Sequence, residues 1–66
     1  MSLYDYQQSR LLSGEDHPFA ALIMAAMRQA DGPNLVKLQA AWPGVFAELD
    51  ARYSSRGGLL PGETVP

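Results

Sequence analysis

The sequence predicts an all-α fold: a compact bundle of three to four short helices around a helical hairpin, completed by oligomerisation. Three observations carry that prediction. Apolar residues recur at helical spacing through residues 18–30 and again through 43–54. No stretch alternates apolar and polar residues as a half-buried strand does. Residues 18–30, PFAALIMAAMRQA, are apolar almost all the way round a helix. Phe19, Leu22, Ile23, Ala26, Met27 and Ala30 make one face, while Ala20, Ala21, Met24 and Ala25 occupy the face where polar residues belong. Such a helix must be covered on every side, and a 66-residue chain has little material to cover it. A homo-oligomer is therefore expected, with Met24, Ala21 and Ala25 at the interface and Trp42 as a further anchor.

The elements follow in order along one small helical domain. Residues 1–17 form an N-terminal arm or helix. Ser2 and Asp5 make a Ser-x-x-Asp pattern that resembles a capping box, so a helix over about residues 3–12 is expected. Ser13-Gly14-Glu15-Asp16 reads as a turn. Asp16 is placed to cap the next helix, with Pro18 in its first turn. That helix runs to about Ala30. Asp31-Gly32-Pro33-Asn34 stops it and starts another, with Asp31 or Asn34 as the cap. Pro43 must break this second helix, because it lacks an N–H and disfavours helical torsions at Trp42. It also suits the start of a helix in which Val45, Phe46, Leu49 and Tyr53 repeat along one face. Residues 18–54 thus form a helical hairpin. Residues 55–66 hold Gly57, Gly58, Pro61, Gly62 and Pro66 and read as an irregular tail, with Leu59 and Leu60 against the body.

Composition limits the function. There is no cysteine and a single histidine, His17, so neither disulfides nor a structural zinc site is expected. The net charge of −2 argues against an extended nucleic-acid partner. No apolar run is long enough for a bilayer, and no export signal is recognisable, so a cytoplasmic protein without a membrane partner is expected. No catalytic set stands out, and no cofactor is implied. His17 beside Asp16 is the nearest approach to a base with its orienting group, and an exposed helix-start pair explains it as well. Glu15 and Asp16 read as a charged turn and not a metal site.

The strongest candidate ligand site is Arg52-Tyr53-Ser54-Ser55-Arg56-Gly57-Gly58. Guanidinium groups grip phosphate oxygens through paired donors. Glycines let backbone N–H groups approach an anion. A tyrosine ring offers a stacking surface for a base. Arg28 and Lys37 are the remaining candidates, with the chance of meeting across the hairpin. The plainer reading is a helix that ends in Arg52, whose charge suits the helix dipole, followed by a glycine stop. Similarly, Arg28 pairs with Asp31 on that reading.

Residues 18–63 also resemble a group of small proteins encoded by phages and other bacterial mobile elements. The similarity rests on ALIMAAMRQAD, then Asn34 with Lys37-Leu38 and Ala41-Trp42-Pro43, then Glu48-Leu49 with Arg52-Tyr53, then Gly57-Gly58 and Leu60-Pro61-Gly62. Phe19 follows Pro18 here where the group more often has an aromatic pair. The resemblance implies a phage or prophage gene and a place in the host cytoplasm. By analogy with other short phage proteins, two functions are expected. One is sequestration of an anionic nucleotide signal of host defence, at a site between subunits. The other is an interaction module whose apolar helix face docks on a host or phage protein.

Overall fold

The computed structural model describes residues 1–64 and is all-α, with no strand among the described residues. Four helices follow one another: α1 (Leu3–Gly14), α2 (Phe19–Gln29), α3 (Gly32–Ala41) and α4 (Pro43–Tyr53). A 3-10 turn, Arg56–Gly58, follows α4.

Local chemistry sets most of these boundaries. At the start of α1 the capping box is complete. The Asp5 N–H donates to the Ser2 hydroxyl at 3.2 Å, and the Ser2 N–H donates to the Asp5 carboxylate at 3.0 Å. Two orphan backbone donors at the helix start are thereby satisfied. Asp31 caps α3 by accepting from the Asn34 N–H at 2.9 Å. Pro33 then sits at the first turn, where no N–H is needed. Trp42 is the whole connection between α3 and α4, with φ −131° and ψ 65°. Its non-helical torsions are what a following proline imposes.

Two details differ from expectation. Asp16 does not cap α2. It takes a left-handed conformation at φ 56°, and α2 begins after an extended Pro18 with no side-chain cap. A residue in that region turns the chain sharply and cannot also take the extended torsions of an N-cap. α1 continues through Gly14, so the expected turn is confined to Glu15 and Asp16.

Helices α2, α3 and α4 pack on one another, and the 3-10 turn folds back on α4. Met27 of α2, 4% exposed, is the one fully buried residue among those described. Ile23, Met24, Leu35, Leu38, Val45, Phe46 and Leu49 are half-buried. Phe19 was expected on the buried face of α2 but is 65% exposed, because it lies at the first residue of the helix, at the bundle's end. There its ring meets Trp42 edge to face, with centroids 6.1 Å apart. Trp42, expected as an interface anchor, thus packs within its own chain, against the start of α2.

α1 is different. It packs against none of the other helices and faces α2 across an open groove. The molecule measures 43 × 28 × 17 Å with a radius of gyration of 13.8 Å. A compact chain of this length has a radius near 11 Å.

Candidate functional site

The expected site residues divide by what their side chains already hold. Arg52 is half-buried on the last turn of α4 and clasps the tail. Its Nε donates to Glu48 Oε1 at 3.3 Å, and its Nη2 to the same oxygen at 3.1 Å. Nη1 donates to the Gly58 carbonyl at 2.8 Å and to Glu63 Oε1 at 2.7 Å, and Nη2 also reaches Glu63 Oε2 at 2.9 Å. A guanidinium has five N–H donors, and all five are engaged. Arg52 was expected to grip phosphate. It has no donor left for one, and its two carboxylate partners already provide more negative charge than it balances.

The glycines belong to the same clasp. Gly57 and Gly58 take φ values of 64° and 71°, a left-handed pair that side chains strain to adopt. This brings the tail back so that the Gly58 carbonyl points at Arg52. The Gly58 N–H donates to the Ser55 carbonyl at 3.1 Å, so it is not available to an anion. The Ser55 hydroxyl donates to the Ala51 carbonyl at 2.7 Å. Glu63 closes the structure by accepting from the Leu60 N–H at 2.9 Å, and Leu59 and Leu60 become half-buried as expected. The Arg52 guanidinium, and after it the Leu60 N–H, hold the Glu63 carboxyl down at about 2, well below its ordinary 4.5. Glu63 and Glu48 raise the Arg52 pKa further above its already high value.

Arg28 and Tyr53 come together elsewhere. Arg28 lies in the last turn of α2 and Tyr53 ends α4, and the packing of those helices puts the Arg28 guanidinium carbon 5.9 Å from the Tyr53 ring centroid. This is cation–π range. The pair stands at the rim of a shallow cleft of about 190 Å³, whose floor includes Met27, Leu35, Phe46 and Leu49. Asp50 is on its wall. Tyr53 remains 76% exposed. Arg28 makes no ion pair with Asp31, and neither Arg28 nor Arg56 has a salt bridge among the described residues.

Lys37 does not join this cleft. It lines a separate groove with Asn34, Leu38 and α2 residues Ala26, Gln29 and Ala30. The five expected basic and aromatic residues therefore do not converge within one chain. Arg28 and Tyr53 meet, Arg52 is committed to the tail, Arg56 is exposed on the 3-10 turn, and Lys37 lies on another groove.

Of the interface candidates, Ala25 lines the groove between α1 and α2, Ala21 is exposed, Met24 is half-buried, and Trp42 packs on Phe19. His17 Nε2 lies 2.9 Å from Glu15 Oε2, so its neighbour is Glu15 and not Asp16. No cluster of three metal-ligating side chains occurs among the described residues, and none of their helices is long and apolar enough to cross a membrane.

Two features escaped the sequence reading. One is the Glu63 side of the clasp. Its signal was a lone carboxylate placed shortly after the glycines. The other is Asp50, which stays exposed and lines the cleft with Tyr53. The chain matches no family model, no curated protein and no solved structure.

Proposed function

We propose that this chain is a small binding protein that captures a compact anionic ligand bearing an aromatic ring, with a nucleotide as the fitting class. The observation that carries the reading is the Arg28 guanidinium within cation–π range of the exposed Tyr53 ring at the mouth of an apolar cleft. A base stacks on such a ring, and a guanidinium beside it grips a phosphate. Asp50 accepts hydrogen bonds from exocyclic amino groups and would favour bases that carry them. A protein of net charge −2 favours a compact anion held in a pocket over a long polyanion that extends along its surface.

At about 190 Å³ the open cleft holds only part of such a ligand, the base and the nearest phosphate. On this reading the activity is sequestration of a nucleotide signal of host defence in a host cytoplasm, the setting that the resemblance to phage-encoded proteins implies. The reading assigns no catalysis.

Calorimetric titration against a panel of cyclic and linear nucleotides tests it. Binding that falls about tenfold or more in Arg28→Ala, the loss of one charge-assisted contact, is expected. A flat titration across the panel sinks the reading. A second reading, docking on a host or phage protein, then takes its place. It is favoured by the large apolar side chains that α1 leaves exposed outside its groove with α2, among them Leu3, Tyr4 and Leu11.

A further inference from the structure

We propose that the groove between α1 and α2 is the contact surface of a homodimer, filled by a second copy of this chain across a two-fold axis. Surface area is the first argument. The chain exposes 5516 Å². A compact monomer of 7.2 kDa exposes roughly 4100 Å². Roughly 1400 Å² is therefore in excess on each chain. Removing that excess from two chains buries about 2800 Å², inside the range of obligate homodimers and well above a transient complex.

The groove's chemistry is the second argument. Its volume is about 420 Å³, and none of its lining residues is charged. Leu12 projects from α1, between Ser9 and Ser13, and α2 offers Leu22 with the small residues Ala25 and Ala26. Two chains of like net charge meet at this face without opposing like charges. Small residues let helices approach closely. A two-fold contact uses the same patch on both chains, so what one copy projects the other must receive. Leu12 of each copy is the projection, and the Ala25-Ala26 floor of the other is the recess. The product is a layer of four helices, two from each chain.

α1 itself is the third argument. It has 12 residues and packs on no other helix of its chain. Isolated helices of that length are marginal in water. The bundle beside it buries a single residue completely, so it has little stability of its own to lend. Whatever covers the groove must be present whenever the chain folds. A second copy always is, and a separately supplied target is not.

The test uses the full chain. Sedimentation gives its mass, and thermal melts over about a hundredfold concentration range report whether folding is coupled to association. The expected result is a dimer whose melting temperature rises with concentration. Leu12→Ala is the decisive variant. In a lone chain Leu12 is 51% exposed, and alanine is at least as good a helix former, so a monomer would hardly notice the change. In the dimer the seated side chain is lost, and the dissociation constant rises about tenfold or more. Val36→Ala, on the exposed face of α3 away from the groove, leaves association unchanged. A folded particle of single-chain mass overturns the proposal, as does an oligomer that ignores Leu12→Ala. Arg28 does not line the groove, so failure of nucleotide binding leaves this result untouched.

Discussion

α1 and α2 are of nearly equal length and are built on opposite principles. α1 has a complete capping box and no tertiary packing. α2 has no side-chain cap and contributes Met27, the one fully buried residue among those described. Hydrogen bonds at its end define α1, and burial along its side defines α2. The contrast teaches that local and tertiary specification need not fall on the same element. A helix with good local signals can be left free to serve a surface, while a poorly capped one is held by its neighbours.

Three changes probe this contrast. Met27→Ala has the largest expected effect. It opens a cavity at the centre of α2–α4 and costs about 2–5 kcal/mol, enough to unfold so small a bundle. Urea denaturation followed by circular dichroism checks it, and a midpoint within error of the parent would mean that the bundle is not centred on Met27. Ser2→Ala is expected to cost about 1 kcal/mol, the usual loss of an N-cap. Because α1 does not pack on the bundle, that loss should appear as faster amide exchange in α1, with α2–α4 unchanged at equal association. Equal acceleration in all four helices would show that α1 is coupled to the bundle after all.

The smallest effect is expected in acid. Glu63 has its folded pKa lowered from 4.5 to about 2 by Arg52 and the Leu60 N–H. Its stabilising contribution is therefore fully present above 4.5 and is lost as the pH falls towards 2. The Leu60 amide chemical shift should follow this transition while α2–α4 keep their helical signal. A Leu60 shift that titrates at the ordinary carboxylate value would show the clasp to be open in solution.

Much of the fold was legible because its signals are short-range. Ser2 with Asp5, Asp31 with Asn34, and Pro43 after Trp42 each act within a few residues, and each sets a boundary as expected. The all-round apolar α2 also told that this chain underfills its own core. Asp16 shows the limit of such reading, since a cap residue in sequence became a left-handed turn. The site was less legible. Arg52 and Glu63 are eleven residues apart and meet only because Gly57 and Gly58 turn left-handed. Arg28 and Tyr53 meet through the packing of α2 on α4, which no spacing rule states. A run of arginine, serine and glycine looked like an anion cradle, yet most of its donors serve the fold. The periodic stripe of α2 gave Phe19 the right face, but not the fact that its neighbours stop short of the helix end.

The single-residue joint at Trp42 has a consequence of its own. With only one non-helical residue between α3 and α4, the connection has no slack. An added or deleted residue inside α4, ahead of Phe46, would turn the rest of that helix by about 100° about its axis. Phe46 and Leu49 would swing out of register with α2, and Tyr53 would leave Arg28. The side chains along this segment are open to exchange, but its length is not. In a diverging lineage, substitutions would accumulate here while insertions and deletions would be confined to the stretch between α1 and α2 and to the tail.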